Sequence, residues 1–272
     1  MGVLQKVKIA KPESEKYSSD KTCPLCGGSG WEAFYDGDGR VVYRDCKCGL
    51  RQRQINEGRL KFANIPENFK GLLLENFRTD IYTDKRSQSI AANSVIGIKT
   101  WLNEFEKIEK AGLGLYIFSE AKGTGKTRML ASIANELVNR GIQVKFATSL
   151  QILQEIKSTW DKNTDYSEHR LLNDLSNTRV LVIDDFGVEK DQPWINERFL
   201  QILNERCNSK KITIFSSNIE PGKLKYDERI IDRLKECTMS VHFPENGVRE
   251  AIGKEKKENF LMEVEACLKK QI

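Results

Sequence analysis

The stretch LGLYIFSEAKGTGKTRMLASIANELVNRG, Leu113 to Gly141, constrains the fold more than any other part of the chain. It opens with a continuous apolar run of strand length, passes at once into a glycine loop, and ends in a helical pattern. There Met129, Leu130, Ile133, Leu137 and Val138 share one face, and Gly141 supplies a natural stop. A strand, a glycine loop and a helix in that order gather unpaired backbone N–H groups at a helix N-terminus, which attracts phosphate. The pattern G-x-x-x-x-G-K-[ST] is met at Gly125, Lys126 and Thr127, but Glu120 stands in place of its first glycine. Only the later glycines must let backbone approach a phosphate, so a side chain at 120 is tolerable if it points outward, though a carboxylate there carries an electrostatic cost. The loop residues Gly123, Thr124, Gly125, Lys126, Thr127 and Arg128 are therefore expected to hold a nucleotide, with Lys126 on the β and γ oxygens and the Thr127 hydroxyl on Mg²⁺.

A second apolar run, RVLVIDDFG from Arg179 to Gly187, ends in two carboxylates at the edge where parallel sheets bind their ligands. Asp184 is expected to hold Mg²⁺ through its water shell and Asp185 to polarise an attacking water. A third run, KITIFSSN, delivers Asn218 to the same edge, where its amide can reach between a γ phosphate and the water. QVKFATS (143–149) and TMSVHF (238–243) complete an expected α/β fold of about five parallel strands interleaved with helices.

The front of the chain follows a different logic. CPLCGGSGWEAFYDGDGRVVYRDCKCG pairs C-x-x-C with C-x-C, and WEAFY and RVVYRD flank a DGDG turn suited to a hairpin. That hairpin would return Cys46 and Cys48 beside Cys23 and Cys26, so that four thiolates surround one tetrahedral Zn²⁺. A unit this small needs such a staple, and four sulfur ligands leave no position for a catalytic water. Residues 1–49 are read as this zinc ribbon, 50–70 as a basic linker interrupted by Pro66, and 71–272 as the nucleotide-binding domain. Arg51, Arg53, Arg59, Lys61 and Lys70 outnumber Glu57 and Glu67 in the linker.

The remaining cysteines, Cys207, Cys237 and Cys267, are expected as free thiols in a reducing cytosol. With 39% hydrophobic and 31% charged residues the chain has no run able to span a bilayer, and its net charge of +5 permits nucleic-acid contact without requiring it. The opening MGVLQKVKIAK lacks the apolar block of a secretory signal, and Lys6 stands where a myristoylation motif needs Ser or Thr, so a cytoplasmic protein is expected. His169 and His242 are the only histidines and present no nucleophile–base pair, which leaves a serine or cysteine hydrolase unsupported.

GTGKT, VLVIDDFG, ITIFSSN and DERIIDRL, in this order and spacing, resemble the AAA+ ATPases of the DnaC and DnaI helicase-loader group, which also includes the transposition helper IstB. ANIPENFKGLLLENF, Ala63 to Phe77, looks like the lead-in that this family places beside the adenine, and the likeness runs to about Glu250. The cysteine-rich front is similar in kind to the metal-binding domain with which DnaI-type loaders grip the replicative helicase. The resemblance implies that Arg233 is an arginine finger for a neighbouring subunit, with Arg229 a lesser candidate, and that Arg249 is the sensor arginine on the γ phosphate of its own subunit. It implies an ATP-dependent loader of a hexameric helicase onto single-stranded DNA, self-associating when ATP is bound. Asp185, where many AAA+ proteins carry Glu, and Glu120 together imply a slow, switch-like ATPase. Two other readings stay open: an IstB-like transposition helper, against which the cysteines argue, and an ATP-gated binding protein with negligible turnover. Lys145 and Lys157 are candidates for DNA contact, whereas Leu150, Leu153, Ile156 and Trp160 in the same stretch have helical spacing and read as core.

Overall fold

The computed structural model describes residues 23–51, 58–59, 62–160, 167–190 and 192–269, the last five without their side chains. The chain divides into two units, Met1–Arg59 and Leu60–Ile272. The opening segment, Arg53, Glu57 and Lys61 of the basic stretch, and the side chain of Cys267 lie outside the described residues.

In the first unit, β1 (Trp31–Tyr35) and β2 (Val41–Asp45) form an antiparallel hairpin in register from Trp31 opposite Asp45 to Tyr35 opposite Val41. Its turn is tied by Asp36, whose Oδ1 accepts the N–H groups of Asp38 at 3.0 Å and Arg40 at 2.9 Å. The hairpin brings the two cysteine pairs together, as their spacing predicts.

The second unit carries the helices α1 (Lys85–Asn103), α2 (Phe105–Ala111), α3 (Lys126–Asn139), α4 (Ser149–Ser158), α5 (Glu168–Asn177), α6 (Pro193–Asn208), α7 (Glu228–Cys237) and α8 (Arg249–Lys269). Between them run β3 (Gly114–Phe118), β4 (Val144–Thr148), β5 (Val180–Asp184), β6 (Ile212–Ser217) and β7 (Thr238–His242). The five strands make one parallel sheet in the order β4-β5-β6-β3-β7. Because successive strand residues face opposite ways, a sheet covered by helices on both sides needs apolar residues throughout. Leu115, Ile117, Val180 and Val182 accordingly join one core with α1, α2 and α3, while Tyr116, Leu181, Ile183 and Phe215 join a second with α4 to α7.

Three expectations need correction. Ala63 and Ile65 are buried in the first of these cores, so the stretch from Ala63 to Lys70 belongs to the nucleotide-binding unit and not to a linker. Cys207 and Cys237 form a disulfide rather than standing as free thiols, because α6 and α7 lie side by side and bring their Cα atoms to 6.0 Å across 30 residues of sequence. Of the four residues read as core near α4, Leu153 and Ile156 are buried but Leu150 is 49% and Trp160 50% exposed. Leu150 faces solvent in the first turn, and Trp160 lies past the helix end, its ring edge-on to Trp194 at 5.2 Å and its N–H on Glu168 at 2.9 Å.

One buried charge ties the second core to the sheet. Arg206 of α6 is fully buried and donates to the carbonyls of Leu175 at 2.7 Å and Thr178 at 2.8 Å, and to the Thr213 hydroxyl at 2.9 Å. It thereby caps the last turn of α5, whose carbonyls lack helical partners. Burial pushes its guanidinium down to about 9, so at neutral pH it stays charged among neutral oxygens. Arg206→Met keeps the apolar stem but strands those acceptors, and is expected to lower unfolding stability by about 3 kcal/mol in a urea titration. A loss under about 1 kcal/mol would show that the carbonyls find other donors.

Candidate functional site

The loop between β3 and α3 takes its shape from Gly123 at φ 73° and Gly125 at φ 95°, left-handed angles that glycine adopts without strain. A Cβ on Gly123 would also lie 3.0 Å from the Arg249 side chain. Lys126 opens α3 and is buried, its ammonium donating to Ser119 Oγ at 2.9 Å and to the carbonyls of Ala121 at 2.9 Å and Ser119 at 3.2 Å. Burial pulls its pKa down, while the nearby carboxylates of Glu245, Asp185 and Asp184 act in the opposite sense. Tyr82, buried, fixes the loop from below by donating its hydroxyl to the Thr124 carbonyl at 2.7 Å.

Across the strand ends, the Thr127 hydroxyl donates to Asp184 Oδ1 at 3.2 Å, and Ser216 of β6 donates to the same oxygen. Burial raises the pKa of Asp184, against the lowering effect of the Ser216 hydrogen bond. Asp185 leaves the strand at φ 54°, a left-handed angle held by two contacts: its N–H donates to Ser216 Oγ at 3.0 Å and its carbonyl accepts from Ser149 at 2.9 Å. The bend turns Asp185 into a cleft of about 680 Å³. Phe69, Phe77 and Ile81 line this cleft along with Gly123 to Arg128, Asp185, Asn218 and Arg249. The lining therefore combines apolar side chains with cations, loop amides and the carboxylates of Asp185 and Glu255, a set suited to an aromatic base joined to a charged tail.

The structure thus brings Lys126, Thr127, Asp184, Asp185, Asn218 and Arg249 to one end of the sheet, with Asp184 buried under Thr127. Arg233 does not join them: its guanidinium sits on Asn204 at 2.7 Å and Glu236 at 2.6 Å, and Arg229 pairs with Asp227 at 2.8 Å. Lys145 lies over the Phe62 ring at 5.5 Å and Lys157 over Trp194 at 5.2 Å. Glu120 points outward to an ion pair with Lys223 at 2.8 Å. Sequence reasoning missed Tyr82 and Ser216, whose contacts reach 42 and 32 residues along the chain and leave no local pattern.

The four cysteine sulfurs lie within 4.8 Å of one another, with Cys23 and Cys46 at 3.8 Å and Cys26 and Cys48 at 3.7 Å. A tetrahedral zinc with bonds of about 2.3 Å sets its sulfurs about 3.8 Å apart, so the cluster has the dimensions of that shell. Backbone hydrogen bonds at Cys26 and Leu25 bring the Cys23 thiol down to about 7. Cys46 is pushed up to about 12: a backbone hydrogen bond at Cys48 lowers it, but burial and the neighbouring sulfurs prevail. Four thiolates so close together call for a cation, which is what the donor set would hold.

The bacterial DnaA ATPase domain matches residues 91–240 of this chain. The replicative helicase loader DnaC of Escherichia coli (strain K12) is 35% identical over 145 residues, covering 53% of this chain and 57% of that protein. The chain thus spans little more than half the length of this relative. The replicative helicase loader DnaC of Buchnera aphidicola subsp. Acyrthosiphon pisum (strain APS) is 30% identical over 196 residues, covering 71% of this chain and 73% of the relative. A crystal structure of DnaI superposes with a TM-score of 0.55 at 24% identity, covering 66% of this chain and 94% of that one, a likeness of fold.

The outward ion pair of Glu120 is exposed, and such pairs contribute little. Glu120→Ala is expected to change the Mg–ATP dissociation constant, measured by calorimetry, less than about threefold. A tenfold gain in affinity would instead mean that the carboxylate acts on the phosphates.

Proposed function

Starting from the fact that the chain belongs to the DnaC/DnaI helicase-loader family of AAA+ ATPases, we propose that it is an ATP-dependent loader of a replicative DNA helicase onto single-stranded DNA, acting in the cytoplasm. The observation that carries the chemistry is the meeting of the Lys126 loop, the Asp184–Asp185 doublet and Asn218 at one sheet edge. Lys126 exchanges neutral loop oxygens for the charged β and γ oxygens of the triphosphate. Thr127 and Asp184 are the residues that would hold Mg²⁺, which when bound neutralises charge developing between the β and γ phosphates. Asp185 orients the attacking water and takes up its proton, and Asn218 aligns that water with the phosphorus. Arg249 contacts the γ phosphate within the subunit.

Arg233 is proposed to act on a neighbour. Its helix α7 leaves it half-buried, away from the cleft of its own chain, as a finger working in trans requires. ATP-driven side-by-side association would then complete each site, and the short Asp185 side chain in place of Glu supports slow turnover. DNA contact is assigned to the region of Lys145 and Lys157, where the exposed Trp160 and its neighbour Trp194 add aromatic faces on which bases can stack. The Cys23, Cys26, Cys46 and Cys48 unit, with one structural Zn²⁺, is the proposed dock for the ring helicase.

The trans arrangement is tested by mixing variants. Lys126→Ala and Arg233→Ala are each expected to be inactive in DNA-stimulated hydrolysis, whereas their mixture recovers activity because a Lys126→Ala subunit lends its arginine to an Arg233→Ala site. No recovery would contradict the finger assignment. Docking is tested by capturing the host's ring helicase with the full chain. Cys26→Ser is expected to lose the helicase and the zinc together while still binding Mg–ATP. A chain that keeps capturing the helicase without zinc would contradict the assignment.

A further inference from the structure

The segment joining β7 to α8 runs along the phosphate loop and bonds to it repeatedly. The Phe243 N–H donates to the Phe118 carbonyl at 2.7 Å and the Val248 N–H to the Gly123 carbonyl at 2.9 Å. Between these anchors, the Glu245 carboxylate accepts the Ala121 N–H on Oε2 at 2.8 Å and the Glu120 N–H on Oε1 at 3.2 Å. His242 Nε2 lies 2.8 Å from Oε1. The segment is itself held from behind, since the Asn246 amide donates to the Thr83 hydroxyl at 3.0 Å and to Asp84, the residue that caps α1.

The same contacts account for a glutamate at position 120. Glu120 does not adopt a left-handed backbone angle, so nothing in the turn demands glycine at that position. Its side chain leaves toward Lys223, and its N–H is taken by Glu245. Ala121 is gripped at both ends of the residue, its N–H by Glu245 and its carbonyl by the Lys126 ammonium at 2.9 Å. Burial acts to raise the carboxyl pKa of Glu245, but the Ala121 N–H and His242 hold it below the usual carboxylate range, so both oxygens accept at neutral pH.

We propose that Glu245 is a positioning residue for the phosphate loop: its carboxylate clamps the entry of the loop so that the amides of Gly123 to Thr127 are aimed at the triphosphate before it arrives. The proposal rests on the nucleotide reading of this loop and adds a residue to it. Electrostatics alone gives the opposite expectation. A carboxylate beside an anion site repels the ligand, so its removal would tighten binding. Preorganisation requires that removal weaken it.

Glu245→Gln decides between the two. The glutamine oxygen can accept one of the two amides, while its own N–H groups oppose the other. Mg–ATP titrated calorimetrically into the wild type and into Glu245→Gln is expected to show affinity falling about tenfold in the variant, the effect of one charge-assisted hydrogen bond. In hydrolysis assays KM should rise while kcat stays within about twofold, as loss of binding alone requires. Amide exchange of a peptide spanning 119–125 should accelerate in the nucleotide-free variant, with exchange in the β5 and β6 strands unchanged. Equal or tighter Mg–ATP binding by Glu245→Gln, with the wild type binding normally, overturns the clamp and leaves the nucleotide site standing. Absence of binding by the wild type overturns both. Should Glu245→Gln fail to fold, exchange on the wild type decides: a protected Ala121 amide supports the clamp, and one exchanging as fast as open loop contradicts it.

Discussion

A buried ammonium that no carboxylate among the described residues contacts directly is the constraint around which the nucleotide-binding unit is arranged. Lys126 is 5% exposed, and its three hydrogen bonds of 3.2 Å or less go to oxygens of Ser119 and Ala121. Neutral oxygens compensate a cation only in part, so the site retains an appetite for an anion with more charge to offer. Its position follows from the sheet. β3 ends directly under the loop and β6 lies between β3 and β5, so Ser216 can bond Asp184 while Asp184 bonds Thr127. The carboxylates and the ammonium thus face one cleft without neutralising one another in a direct pair, as binding of both a metal cation and a polyphosphate requires.

The first unit obeys another constraint. Its hairpin exposes Trp31, Tyr35 and Tyr43, with the Arg51 guanidinium over Trp31 at 3.4 Å, and among the described residues of this unit Cys46 is the one buried hydrophobic residue. So little apolar burial cannot offset the ordering of this many residues, and the sulfur cluster takes the place of a core. In the second unit the helices of both faces contribute to cores that the strands share, and Arg206 shows that even a charge is accommodated there when its donors meet carbonyl oxygens at a helix end.

β3 and β5 were legible because each is a nearly unbroken apolar run, the pattern left by a parallel strand covered on both faces, whereas β4, β6 and β7 are interrupted by Lys145, Thr213 and Ser240 and show only through their short β-branched and aromatic stretches. The loop, the aspartate doublet and Asn218 were legible for a related reason, as they follow their strands immediately and inherit their placement. Contacts made between distant segments escaped. Tyr82 and Glu245 reach the loop from residues 42 and 124 positions away, and no periodicity marks them. Nor does spacing reveal that α6 and α7 set Cys207 against Cys237, or that Trp160 falls just beyond the helix whose pattern it continues. Charge composition dominates the stretch that holds Ala63 and Ile65 and reads as a linker, whereas burial depends on which side chains the sheet receives. The role proposed for Arg233 is different again, since a residue acting on a second copy would leave its signature outside its own chain.

The proposed function requires that one Mg–triphosphate bind between the Lys126 loop and the aspartate doublet. Calorimetric titration of Mg–ATP into the intact chain measures it most directly. A single saturable site per chain is expected, and it disappears in Lys126→Ala while the thermal midpoint of the ligand-free protein stays close to that of the wild type. Absence of heat at millimolar Mg–ATP in the folded wild type, or undiminished binding by Lys126→Ala, would contradict it.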